Sequence, residues 1–293
     1  MNDGKIIQWY PGHMAKTRRL IDENLKLVDI VVELIDARIP YSGRNSEFDN
    51  ILKQKPRLLV MTKADLADKN VTERWIKYYK QNGQNIISVN SLSGKGVNNI
   101  LSEASNILRD KIEKNAQKGI NKTIKMMIVG IPNVGKSSLI NSLIGKSSTK
   151  TGDRPGVTKG KQWVRVRNGI ELLDTPGILA PKFENQNIGR NLAYIGSIRD
   201  EIIDVQTLAA NLLELLSKKY PQCVMQRYKL TDSIEGVGGF EIMERIGKKR
   251  GFIVSGGEID YERCANIVLD EFRSAKTGLI SLETPEDIAT YTD

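Results

Sequence analysis

The sequence predicts an α/β fold: a mostly parallel sheet with helices on both faces, followed by a small all-helical C-terminal domain. Three observations lead there. Short apolar runs rich in β-branched residues alternate with helix-spaced segments up to residue 144. Two strand-like runs joined by a tight turn follow them. Beyond residue 190 strand-like runs give way to long helical patterns.

Residues 29–35 (DIVVELI) make the first apolar run, ending in Asp36-Ala37-Arg38. Residues 57–62, 85–89 and 124–129 make three more. Helical spacing follows each, over 46–54, 71–82, 97–115 and 136–144. Such alternation with short loops predicts parallel strands buried on both faces. Residues 162–166 and 169–173, joined at Arg167-Asn168-Gly169, predict an antiparallel pair on the same sheet. Residues 181–189 are polar and read as a loop. Helices are expected over 192–216, 238–248 and 258–275, the first on the spacing of Ile202, Val205, Leu208, Leu212 and Leu215. Gly236 to Gly239 and Ser255 to Gly257 read as turns, and 281–293 as a frayed end. The expected division is 1–185 for the sheet domain and 186–293 for the helical one.

Composition narrows the classes. The chain has 293 residues, 27% of them charged and 40% hydrophobic, as in a water-soluble globular protein. No stretch has the length or purity of a membrane span, and the N-terminus lacks the apolar core of a secretory signal. The two cysteines, Cys223 and Cys264, lie far apart and read as free thiols in a reducing cytoplasm. Net charge is +9, but unevenly spread. Residues 122–167 carry ten Lys and Arg against one acid, Asp153, whereas 201–293 carry 11 Lys and Arg against 16 Asp and Glu. The basic balance suggests a polyanionic partner, with Lys248-Lys249-Arg250 as a local exception in an acidic C-terminal third.

Gly130-Ile131-Pro132-Asn133-Val134-Gly135-Lys136-Ser137 fits GxxxxGK[ST] between a predicted strand and a predicted helix, the context that motif needs. Its backbone N–H groups, those of Asn133 to Ser138, would cradle phosphates at a helix N-terminus. Lys136 would bridge the β- and γ-phosphates and act in catalysis. The Ser137 hydroxyl would ligate Mg²⁺. Asp174-Thr175-Pro176-Gly177 follows a strand that would aim Asp174 at the metal through water, and Gly177 could touch the γ-phosphate. Thr158, in Pro155-Gly156-Val157-Thr158, could give the metal a hydroxyl. Thr62-Lys63-Ala64-Asp65 follows another strand. Asp65 could accept from guanine N1–H and the N2 amine, which adenine cannot match. The Lys63 stem could cover the base. Asn90-Ser91 could offer a backbone N–H to guanine O6.

Taken as a set, these motifs resemble those of the TRAFAC-class GTPases. The base motifs precede the phosphate motifs, the reverse of the ordinary order. That order resembles the circularly permuted P-loop GTPases of the YlqF/YawG type. Gln8-Trp9-Tyr10-Pro11-Gly12-His13-Met14 and Asp36-Ala37-Arg38-Ile39-Pro40 add to the likeness, which covers about residues 5–180. The resemblance implies GTP and GDP as ligands, Mg²⁺ as cofactor, a cytoplasmic monomer, and a late step in assembling the large ribosomal subunit on 23S rRNA and ribosomal proteins. It also implies that His13 orients the attacking water, since Ile178 follows Gly177 where many GTPases have Gln. Asn133 matches GTPases that use a monovalent cation, which predicts K⁺ stimulation. Thr62 stands where the family has Asn, so a looser tie to the P-loop and weaker affinity are expected.

Rival readings are a switch acting on a protein or membrane partner, a nucleotide-binding scaffold with negligible hydrolysis, and a P-loop ATPase. Asp65 argues against the last. A His13→Ala protein is expected to keep its GTP affinity and lose particle-stimulated hydrolysis. Phosphate release beside a nucleotide titration checks this, and full stimulated turnover in the variant would remove the role.

Overall fold

The computed structural model of the chain describes residues 21–44, 49, 51–52, 55–120, 123–144, 163–166, 170–173 and 185–292. The strands are β1 (Ile30–Asp36), β2 (Arg57–Thr62), β3 (Ile86–Ser88), β4 (Ile124–Gly130), β5 (Trp163–Val166) and β6 (Ile170–Leu173). They form one sheet in the order β3-β2-β1-β4-β6-β5. All its pairings are parallel except β5 with β6, as the turn at 167–169 predicted. That turn itself lies outside the described residues.

Continuous apolar runs serve both faces because successive strand residues point to opposite sides. Ile30, Val32 and Leu34 enter one buried cluster with α2 (Val97–Ile107) and α4 (Lys136–Ile144). Val31 packs in a second cluster with Ile21, Leu25 and Leu52. Ile35 joins a third around Trp75 and Tyr79 of α1 (Lys69–Gln81). Glu33 breaks the apolar run yet is buried. Arg57 donates to it at 3.0 Å, and Arg44 lies 3.6 Å away. Burial pushes its carboxyl up and the two guanidiniums pull it back.

Segmentation differs from expectation in three places. The helix expected over 97–115 is two, α2 and α3 (Arg109–Gln117), separated at buried Leu108. The helix expected over 192–216 is likewise divided. α5 (Gln186–Tyr194) starts inside the stretch read as a loop, where the Asn185 side chain caps Asn187 N–H. The chain then turns at Gly196, whose φ is +74°, passes a 3-10 turn at Asp200–Ile202, and enters α6 (Val205–Lys219), capped by Asp204. Caps and a left-handed glycine outweigh a continuous apolar period. α7 (Pro221–Tyr228) escaped the sequence reading, although Pro221 stands at its first turn, where proline fits.

α8 (Gly239–Arg250) and α9 (Tyr261–Arg273) follow, and beyond them a 3-10 turn at Pro285–Ile288 and a short α10 (Ala289–Thr292). A Cβ at Gly239 would collide with the Ala210 carbonyl oxygen, so α8 and α6 touch backbone to backbone there. The helical bundle and the sheet share one buried cluster, which holds Ile131 and Val134 together with Ile195 and Ile198. Both cysteines are free, and burial pushes the Cys264 thiol up to about 12. Among the described residues no helix is long and apolar enough to cross a membrane.

The expected frayed end is corrected as well. Ser281, Leu282 and Glu283 are buried against the sheet domain. Leu282 N–H donates to Arg38 O at 2.8 Å, and the Trp75 indole donates to Glu283 O at 3.0 Å. The Glu283 carboxylate accepts from Tyr41 N–H at 2.7 Å, the Ser42 N–H and hydroxyl, and the Asn191 amide at 2.9 Å. Tyr291 stacks on Tyr41 with centroids 5.0 Å apart. Pairing across more than 200 residues leaves no local period to read.

Glu283→Ala strands these buried donors. The variant is expected to lose about 3 kcal/mol of unfolding free energy, one to two unpaired groups' worth. Urea denaturation followed by tryptophan fluorescence measures it, and an unchanged midpoint would contradict the strap's role.

Candidate functional site

The parallel strands deliver their C-terminal ends to one edge of the sheet, where open α/β sheets hold ligands. β4 ends at Gly130, next to β1. A Cβ there would meet the Leu34 carbonyl oxygen and Val134 Cγ1, both at 3.0 Å, so only glycine lets the loop leave the strand so closely. Asn133 has φ +58° and Gly135 φ +99°. Asparagine tolerates the first, and the second calls for glycine. α4 then begins at Lys136, with Ser137 and Ser138 exposed in its first turn. The N–H groups at that helix end, with the positive end of the helix dipole, make a seat for an anion.

The 62–65 loop leans on this one. Thr62 Oγ1 lies 2.6 Å from Val134 O and 3.1 Å from Ile35 O. Its single proton can serve one carbonyl at a time, and the nearer is the P-loop's. The tie expected to loosen with Thr62 is therefore made by the hydroxyl. Lys63, at φ +55°, reaches Asn133 O at 2.7 Å and Asp36 Oδ2 at 3.1 Å. Asp65 is exposed beside them. Asn90 does not face outward. Its side-chain oxygen accepts from Leu92 and Ser93 N–H at 2.9 and 3.0 Å, so it builds the loop that presents Ser91.

Asp36 and Arg38 carry more than the strand end that sequence reasoning assigned them. Both are buried. Arg38 Nε and Nη2 donate to the two carboxylate oxygens at 2.9 and 2.8 Å. Burial alone would raise the Asp36 carboxyl; Arg38 and then Lys63 outweigh it and hold it far below the usual carboxylate range. Charged residues closing an apolar strand were the signal for this pair.

The helical bundle also reaches the P-loop. Asn133 Nδ2 donates to Gly196 O at 2.6 Å, and Ser197 Oγ donates to Pro132 O at 2.8 Å. The Asn133 amide, expected near a monovalent cation, is thus turned toward the bundle. In the basic cluster, Lys248 pairs with Glu244 at 2.6 Å and Arg250 lies over the Tyr228 ring. His13, Thr158, Asp174 and Gly177 lie outside the described residues, as does the 8–14 segment. Among the described residues no three His, Cys, Asp or Glu gather as a metal cluster.

A family profile described as "50S ribosome-binding GTPase" matches residues 125–227. It starts at β4, past the base motifs, as a permuted order requires. A ribosome biogenesis GTPase A from Bacillus cereus is 48% identical over 283 residues, 96% of this chain and 95% of that one. A mitochondrial ribosome-associated GTPase 1 from Mus musculus is 35% identical over 297 residues, 95% of this chain and 90% of that one. A solved GNP-bound YlqF from T. maritima superposes with a TM-score of 0.66 at 28% identity, over 92% of this chain and 99% of that chain.

Thr62→Ala removes the hydroxyl between the two loops. It is expected to weaken guanine-nucleotide binding about tenfold, the worth of one buried hydrogen bond. Titration with fluorescent GDP measures it; wild-type affinity would show that the tie does not serve binding.

Proposed function

The chain belongs to the ribosome biogenesis GTPase A family, and from that membership we propose that it binds and hydrolyses GTP while assembling the large ribosomal subunit, with the immature particle raising a slow intrinsic rate. The observation that carries this reading is the pair of contacts from Thr62 and Lys63 to the P-loop. They join a base-reading loop to a phosphate-reading loop that follows it in the chain, which is what a permuted GTP site needs.

In this reading the backbone from Asn133 to Ser138 cradles the phosphates, and Lys136 neutralises charge that grows in the transition state. Asp65 selects guanine and the Lys63 stem covers the base. Ser91 N–H reaches guanine O6, on a loop shaped by Asn90. The first turn of α4 suits a nucleotide-bound Mg²⁺, because the exposed Ser137 hydroxyl stands at the helix end that receives the phosphates. Thr158 and, through water, Asp174 would complete that set. When bound, Mg²⁺ would offset negative charge on the phosphate oxygens. Gly177 senses the γ-phosphate, and His13 orients the attacking water. The Asn133 amide oxygen would hold K⁺, while its amide nitrogen keeps its bond to Gly196 O.

Residues 1–185 form the GTPase unit and 186–293 the part that meets 23S rRNA and ribosomal proteins, with Lys248-Lys249-Arg250 as one contact. The working form is a cytoplasmic monomer.

Phosphate release from GTP, with and without purified large subunits and with ATP as control, tests the reading. Turnover is expected to be slow alone, to rise by about 10²-fold or more with subunits, as other GTPases do with their completing partners, and to be higher in K⁺ than in Na⁺. Turnover indifferent to subunits would point to another partner, and equal use of ATP would overturn the role of Asp65.

A further inference from the structure

One guanidinium organises the contact between the bundle and the P-loop. Arg273, in the last turn of α9, donates from Nε to Tyr194 O at 3.0 Å and from Nη2 to Ala193 O at 2.9 Å. Its two terminal nitrogens also hold both oxygens of Asp200, at 2.6 and 2.8 Å. The guanidinium therefore ties the end of α5 to the 3-10 turn that follows and fixes the residues between them. Two of those residues are Gly196 and Ser197, which hold Asn133 and Pro132 of the P-loop. Gly196 has no room to stray: a Cβ there would sit 3.3 Å from Arg273 Nε, at a φ of +74°. The backbone of Arg273 is anchored as well. Its carbonyl accepts from Arg38 Nη1 at 3.0 Å, and Arg38 is locked to Asp36, the partner of Lys63.

We propose that Arg273 is a positioning residue for the nucleotide loops: by fixing the 193–200 turn it presents the Gly196 carbonyl and the Ser197 hydroxyl to Asn133 and Pro132, and so sets the P-loop conformation that binds guanine nucleotide. The proposal rests on the reading of residues 130–137 as the phosphate loop. A plain helix cap would need only the carbonyls of α5. Arg273 spends as many donors on Asp200, beyond the turn, which a cap alone does not require. Four directed bonds from one planar group give a geometry that a lysine, with a point charge and no fork, cannot reproduce.

The test is a four-protein cycle on the full chain, titrated with fluorescent GDP: wild type, Arg273→Gln, Asn133→Ala and the double variant. Arg273→Gln is expected to bind GDP about tenfold more weakly, as for loss of one ordered hydrogen bond at the loop. The double variant is expected to bind no more weakly than Asn133→Ala alone, because the effect runs through that amide. Arg273→Lys should fall between wild type and Arg273→Gln. Wild-type affinity in Arg273→Gln, or effects that simply multiply in the double variant, would overturn the proposal. A purely structural Arg273 would lower the melting temperature and leave the affinity of the folded protein unchanged. If Arg273→Gln gives no cooperative melt, Ser197→Ala decides: about threefold weaker GDP binding supports the proposal, since a single neutral hydrogen bond is worth less, and unchanged binding overturns it. Absence of GDP binding by the wild type would instead remove the phosphate-loop reading, and the proposal with it.

Discussion

The Asp36 carboxylate has no exposed surface and four donors aimed at it, three from Arg38 and one from Lys63. An isolated charge so deeply buried would be intolerable, and each partner removes part of that cost. Arg38 comes from the same loop and Lys63 from the end of the neighbouring strand. The carboxylate is thereby a constraint as much as a contact. It aligns the ends of β1 and β2, orients the lysine that touches the P-loop, and aims the remaining guanidinium nitrogen of Arg38 at the end of α9. The geometry of the nucleotide loops and their connection to the bundle both depend on this one group staying ionised.

Much of the layout was legible from residues alone. Apolar runs flanked by helical spacing located the strands of the sheet to within one or two residues, because burial on both faces leaves an unmistakable composition. Motifs at strand ends were legible for the same reason: a parallel sheet brings its C-terminal ends to one edge whatever the chain order. Local period failed where a cap or a left-handed residue divided a helix, as at Asn185, Gly196 and Asp204. It failed entirely for Glu283, one of several acids in a polar tail, whose Tyr41 and Ser42 partners lie some 240 positions earlier.

Thr62 shows a subtler limit. Substituting a hydroxyl for a longer carboxamide suggested lost reach. The loops instead approach closely enough for Oγ1 to meet the Val134 carbonyl at 2.6 Å. Residue type predicts which bond is available; only the distance between backbones decides whether it is made. Asn133 teaches the converse. Its match to cation-using GTPases drew attention to its oxygen, while its surroundings give its amide nitrogen a protein acceptor, so one side chain links the bundle to the P-loop.

The C-terminal strap bears on how the chain comes to be finished. Tyr41, Ser42 and Trp75 wait for Glu283, and Arg38 waits for Leu282. During synthesis, β1 and its loop emerge long before those partners exist, so the edge that holds the nucleotide motifs is completed among the last contacts of the fold. Loop closures of that span are slow to form. A nascent chain therefore lacks these contacts until residues 282 and 283 have emerged.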